Sequence, residues 1–138
     1  MIKFKNISKE KPYKNFKNQY IAAIDAGQKN IEAMAISTFN KANNLVDSRF
    51  VNIKIVNNKK FIFFSNYNSP KAKAFESFDQ ISVVTFWSAT NTQIRMLANI
   101  KKTSHNFNNE YFKNRSVDKN ILAVSSNQSE KTSSYKMV

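Results

Sequence analysis

Gln80-Ile81-Ser82-Val83-Val84-Thr85-Phe86-Trp87 is the stretch on which the reading of the fold turns. It is filled with β-branched and aromatic residues, lacks Gly and Pro, and has the length of a strand, so it reads as a buried strand. Past a short polar turn, residues 92–102 form another such run, ending in Lys101-Lys102. Two strands joined by so short a link pair antiparallel. Working upstream, Ser69-Pro70 is a helix start, with Ser as cap and Pro at the first position, and this helix is expected to reach about residue 78. Before it come the β-prone run Phe61-Ile62-Phe63-Phe64 within residues 60–66 and a strand over 46–56, with Asn57-Asn58 available for the hairpin turn between them. Residues 40–44 are a polar turn, and 31–38 alternate weakly as a strand. Pro12 opens a helix over 13–26, in which Phe16, Tyr20, Ala23 and Ile24 recur at helical spacing and which Gly27 ends in a left-handed cap. Residues 1–11 are Lys-rich and read as a loose basic arm. Downstream, short helices are expected at 108–114 and 117–124, and the chain turns polar and Ser-rich from Ser125.

The pattern is five or so strands on short links, with helices at the start, in the middle and near the end. It predicts a mostly antiparallel sheet, closed as a small β-barrel with flanking helices. The expected organisation is an arm over 1–11, one domain over 12–130 and a polar tail over 131–138. With 41% hydrophobic and 13% aromatic residues there is material for a core. One Gly and two Pro leave tight turns to Asn, Asp and Ser.

The formal net charge is +13, from 22 basic and 9 acidic residues. Such a surface attracts phosphates, nucleic acid or anionic membranes. The lysines, however, are spread over arm, turns and tail without interleaved aromatics. The richness in Lys, Asn, Ile and Phe also follows from an AT-rich coding sequence. A dedicated nucleic-acid role therefore ranks below attraction of a phosphorylated small molecule. There is no Cys, hence no disulfide or thiolate chemistry. No apolar run approaches the roughly 18 residues of a membrane span, and Met1-Ile2-Lys3-Phe4-Lys5 lacks the apolar core of a signal peptide, so the expectation is a cytoplasmic protein without a membrane segment.

Most catalytic constellations are missing. His105 is the single His, the acidic residues are scattered, and no Gly-rich loop exists for a nucleotide. What remains is a set of phosphate-binding elements. Arg49-Phe50-Val51-Asn52-Ile53-Lys54 places two cations in one strand. They are five apart, so ideal pleating sends them to opposite faces unless a bulge intervenes or a ligand lies over the strand end. Phe64-Ser65-Asn66-Tyr67-Asn68-Ser69-Pro70-Lys71 leaves a strand and enters a helix whose free N–H groups suit a phosphate, although Ser69-Pro70 is equally just a good helix start. Trp87 and Gln93 flank a turn, Trp87 reading as core. Tyr111 and Arg115, four apart on one helical face, could share a phosphate or form an ordinary surface pair.

Taken in order, these elements resemble those of the pyridoxine/pyridoxamine 5′-phosphate oxidases. Arg49 to Lys54 is similar to the family's Arg-x-Val-x-x-Lys strand, and Phe63-Phe64-Ser65-Asn66 through Ser69-Pro70-Lys71-Ala72 to its Phe-Tyr-Thr-Asn-x-x-Ser-Arg-Lys-Ala segment. Val83 to Trp87 with Gln93-Ile94, then Tyr111-Phe112-Lys113-Asn114-Arg115, then Ser126-Asn127-Gln128-Ser129 continue the match at nearly constant spacing. The resemblance implies an FMN-binding split β-barrel, a homodimer with FMN at the interface, and oxidation of pyridoxine or pyridoxamine phosphate to pyridoxal 5′-phosphate by O2. It implies FMN contacts from Arg49, Lys54, Ser65, Lys71, Gln93, Gln128 and Ser129, with Phe64 flanking the flavin. Lys54, Tyr111 and Arg115 would face the substrate, a phosphorylated B6 vitamer. The departures are Pro70 in place of an Arg, Thr92 before Gln93 in place of another, Ser116-Val117 in place of Pro-Arg and Lys119 in place of a Ser. The sequence also stops at Val138, before the family's Trp-Gly-Gly and Arg-x-His elements, which implies an incomplete barrel and weak FMN binding. The alternative is a non-catalytic module that binds FMN or pyridoxal phosphate, or a truncated product.

Overall fold

A computed structural model of the chain describes residues 1–66 and 68–103. The expected helices at 108–114 and 117–124, the polar tail, and Tyr111, Arg115, Gln128 and Ser129 lie outside the described residues.

Among the described residues, six strands and two α-helices follow one another as β1 (Lys3–Lys5), α1 (Lys11–Asp25), β2 (Ala33–Asn40), β3 (Leu45–Asn57), β4 (Lys60–Phe63), α2 (Pro70–Ser77), β5 (Gln80–Trp87) and β6 (Thr92–Asn99). The strands form one sheet in the order β1-β3-β2-β5-β6, with β4 also paired to β3. Every pairing is antiparallel except the parallel β1–β3 contact. Among the described residues the sheet stays open. β3 serves two sets of neighbours in succession: residues 45–52 pair with β2, and the remainder pairs with β4 and β1.

The turns show how a chain with one Gly reverses direction. Among the described residues, Asn6, Asn30, Asn44, Asn58 and Asn91 are all the non-glycine residues with positive φ, between 43° and 59°. Asn tolerates the left-handed region better than other side chains, because its short amide bonds locally. Gly27 follows α1 at φ 82°. α2 begins as its sequence indicates: the Ser69 hydroxyl accepts from the Ala72 N–H at 3.4 Å, and Pro70 occupies the first turn.

The core lies between α1 and one face of the sheet. Met34 and Ile36 of β2, Ile81 and Val83 of β5, and Trp87 meet Phe16, Tyr20 and Ala23 of α1. Trp87 is 1% exposed, its indole N–H donates to the Ile31 carbonyl at 3.1 Å, and its ring lies 5.7 Å from Phe16 and 6.0 Å from Tyr20. Trp87 is thus core, as its sequence context indicates.

Three expectations are corrected. The segment 1–11 is not loose throughout: Ile2 is buried, its N–H donates to the Tyr20 hydroxyl at 2.8 Å, and Lys3–Lys5 is a strand. The alternation Ile2-Lys3-Phe4-Lys5 puts apolar residues inward, a period of two that the surrounding lysines obscure. β5, in turn, is buried on one face only, leaving Val84 and Phe86 exposed. β6 ends at Asn99, short of the expected Lys102.

Candidate functional site

The site grows from an irregularity in β3. Ile53 pairs with Phe63 and Ile55 with Ile62, so two steps along β3 match one step along β4. The additional residue is Lys54, and this is the geometry of a β-bulge. Its effect shows in the core. Before the bulge the odd-numbered Val51 and Ile53 join the core cluster, and after it the even-numbered Val56 does. Lys54 therefore turns toward the face that carries Arg49, Val51 and Ile53. The condition that strict pleating set against Arg49 and Lys54 sharing a face is met. Counting the bulge, the backbone positions of the two residues stand about 13 Å apart along the strand. That spacing suits an elongated ligand with different groups at its two ends.

At one end, Arg49 pairs across the ladder with Ile36 and has a largely buried side chain. Its guanidinium donates to the Thr38 hydroxyl at 2.9 Å and to the Asp47 carboxylate at 2.8 Å. Lys71, in the first turn of α2, is only 4% exposed. Burial pushes its ammonium pKa down, and the charge of Arg49 pushes it further the same way. Two cations thus converge where α2 packs beside β2, next to the N-terminus of that helix. Ser65 and Phe64 lie on the link between β4 and α2, both half-buried, and the Ser65 hydroxyl donates to the Asn66 carbonyl at 3.4 Å.

At the other end, the Lys54 ammonium donates to Glu32 Oε1 at 2.9 Å, and the α-ammonium of Met1 donates to Oε2 at 3.0 Å. Burial raises the Glu32 carboxyl pKa, but these two hydrogen bonds and charges outweigh it and hold the group below the usual range.

Gln93 does not join them. It is exposed on β6 opposite Phe86, on the sheet face away from α1. That outer face carries Phe50, 75% exposed, Phe86, 56%, and Leu97, 78%, with Val84 among them. Ala35 lies across from both Phe50 and Val84, so the apolar strip crosses three strands. Apolar residues this exposed and contiguous mark a contact surface.

Sequence reasoning had not singled out Glu32, Thr38 or Asp47. Asp47 is two residues from Arg49 on one strand face and could have been found by pleating alone. Glu32 and Thr38 reach their partners across the sheet, so no local signal announces them.

No family model matches the chain. Its sequence is 29% identical over 123 residues to a pyridoxine/pyridoxamine 5′-phosphate oxidase of Hydrogenovibrio crunogenus, covering 89% of this chain and 56% of that protein. The enzyme of that name from Actinobacillus pleuropneumoniae is 32% identical over 123 residues, again 89% of this chain and 58% of the relative. The chain thus spans little more than half the length of these curated relatives. Among solved structures, PhzG from Burkholderia lata 383, in complex with tetrahydrophenazine-1-carboxylic acid, superposes with a TM-score of 0.83 at 20% identity, over 91% of this chain and 62% of that one. A pyridoxamine 5′-phosphate oxidase-related, FMN-binding protein from Nostoc punctiforme superposes at 0.71 and 10% identity, over 93% and 71%. The fold is that of the FMN-binding split barrels. More particularly, the chain is a divergent homologue of the pyridoxine/pyridoxamine 5′-phosphate oxidases over most of its length. No helix among the described residues is long and apolar enough to cross a membrane.

Proposed function

We propose that the chain is an FMN-binding flavoprotein of the pyridoxine/pyridoxamine 5′-phosphate oxidase kind, working as a homodimer on a phosphorylated B6 vitamer. The observation that carries the reading is the convergence of Arg49 and Lys71 beside the N-terminus of α2. Arg49 already meets the Asp47 carboxylate at 2.8 Å, so the cluster of two cations and one carboxylate keeps a net positive charge that a phosphate dianion offsets. The groups there that suit the FMN phosphate are the Arg49 guanidinium and the Lys71 ammonium, with the Thr38 and Ser65 hydroxyls turned to backbone carbonyls. Pro70 supplies neither a cation nor an N–H there, so binding is weaker than an Arg at that position would give.

From that anchor the ligand runs along β3 toward Lys54, with Phe64 as flank. Tyr111 and Arg115 then hold the substrate phosphate, and Gln128 and Ser129 complete the flavin contacts. A second copy covers Phe50, Phe86 and Leu97, and Gln93 serves the interface from that same face. When bound, FMN supplies the hydride acceptor and the route of electrons to O2. The protein's part is to bind, orient and exclude water.

The test is to mix the purified chain with FMN, pass it through gel filtration and record the absorption spectrum. A retained flavin band and production of pyridoxal 5′-phosphate from pyridoxine phosphate are expected. A protein fraction without flavin refutes the cofactor reading. Retained flavin without turnover favours the non-catalytic module, the reading to which Pro70 lends weight.

A further inference from the structure

Lysines that lie far apart in the sequence gather in the fold. Lys3 and Lys5 point outward from β1, while Phe4 between them packs inward on the core. β1 runs beside the end of β3 with Lys5 opposite Asn57, and the turn after β3 carries Lys59 and Lys60. That turn is tied to the N-terminal segment: the Asn58 N–H donates to the Lys5 carbonyl at 3.0 Å, and the Ser8 N–H donates to the Asn58 carbonyl at 3.3 Å. The Lys59 ammonium donates to the Glu10 carboxylate at the start of α1. On α1 itself Lys11, Lys14 and Lys17 follow at intervals of three, and the Lys17 ammonium lies 5.6 Å from the centre of the Phe4 ring, back on β1. Counting Lys9 in the link, residues 1–20 and 55–63 hold eight lysines against one carboxylate, Glu10. Glu32 borders this corner at Met1 and is shared with Lys54.

The kind of partner follows from what accompanies the charge. All the cations are Lys, so the corner offers point charges without the planar guanidinium that reads base edges. Its rings are committed to packing: Phe4 and Phe61 are half-buried and lie 6.2 and 5.0 Å from Phe16. They are not open for the bases of a single strand to stack on. Large exposed apolar side chains stand only at its borders, at Met1 and Ile21, whereas a bilayer surface calls for apolar groups inserted among the cations. We propose that this corner is a docking surface for double-stranded DNA, held through its phosphates without regard to sequence. The duplex carries one negative charge per about 1.7 Å of its axis, and every phosphate met by a lysine releases condensed counterions.

The experiment follows the fluorescence anisotropy of a short labelled DNA duplex titrated with the whole chain over a range of salt concentrations. Three proteins are compared: the wild type, the triple variant Lys5→Gln, Lys14→Gln, Lys60→Gln, and the triple variant Lys29→Gln, Lys73→Gln, Lys101→Gln, which removes the same charge from exposed lysines elsewhere. The slope of log affinity against log salt should be shallower by about 3 in the first variant and within about 1 of the wild type in the second. The charge-preserving set Lys5→Arg, Lys14→Arg, Lys60→Arg should keep the wild-type slope. Matching melts by circular dichroism show that the proteins compared are folded, and where a triple variant does not fold, its single variants, each expected to lose about 1 from the slope, take its place. Equal losses in the two triple variants overturn the proposal, because net charge rather than this corner would then hold the duplex. The absence of salt-dependent binding overturns it as well. So does a preference for the single strand over the duplex. Retention on phosphatidylserine vesicles that the first variant loses, with duplex binding unchanged, likewise overturns it in favour of a membrane surface.

Discussion

Replacing Lys71 with Met should stabilise the chain and weaken its hold on FMN at the same time. Lys71 is 4% exposed and lies beside the Arg49 guanidinium. Met has nearly the same length and no charge, so it fills the space without the desolvation cost of an ammonium. Removing a charge whose folded form is disfavoured by burial and by Arg49 should stabilise by about 1 kcal/mol. A chain of this size should then melt about 3–5 °C higher without ligand. The pH dependence follows from linkage. The folded-state pKa of Lys71 is depressed, so between that value and the ordinary lysine value the unfolded chain holds a proton that the folded chain has released. Stability attributable to Lys71 therefore rises with pH through this alkaline window, and the Met variant should lack that rise. Binding moves the other way. Losing one charge-assisted contact to the phosphate costs about 1.5–3 kcal/mol, or roughly 10- to 150-fold in affinity. Melts followed by circular dichroism at several alkaline pH values, together with quenching of flavin fluorescence on titration, measure both effects. A variant that melts lower than the wild type and binds FMN equally well would refute the account of this cluster.

Other outcomes follow from the packing. Trp87→Ala should lose about 3–5 kcal/mol in urea unfolding, because the indole fills the space between Phe16 and Tyr20. Trp87→Phe keeps a ring but leaves the Ile31 carbonyl without its donor, and should cost about 1–3 kcal/mol. Ser69→Ala removes the cap of α2 and should lower stability by about 1 kcal/mol, read from the thermal midpoint. Phe50→Asp puts a charge in the middle of the exposed apolar strip, and should leave the far-ultraviolet spectrum intact while shifting a dimer to monomer in analytical ultracentrifugation.

Much of the architecture was legible because the elements announce themselves locally. β5 and β6, α2 behind Ser69-Pro70, and α1 between Pro12 and Gly27 stand within a few residues of where composition and periodicity put them. The asparagines took the left-handed turns that scarce glycine left open. The short strand Lys3–Lys5 was hidden because alternation over four residues is weak among so many lysines. The site was legible in its cations and illegible in their partners. Arg49, Lys54 and Lys71 stand out as residue types, but the fact that Lys54 meets Glu32 depends on the β2–β3 register and on the bulge. The sequence pointed to the need for a bulge but could not locate it. The exposure of Val84 and Phe86 was hidden for a related reason: a strand covered on both faces and a strand with one apolar face left exposed have the same composition.

The bulge also says something about which residues the sheet requires. If Lys54 were deleted, Ile53 and Ile55 would become neighbours facing Phe63 and Ile62 in an unbroken ladder, and Val56 would still point into the core. Every other pairing of β3 would survive. Lys54 is therefore surplus to the architecture: the strand carries one more residue than its hydrogen bonding uses, and that residue presents an ammonium group to a carboxylate inside the site. A chain shortened by this single residue should fold normally and differ only in what it binds.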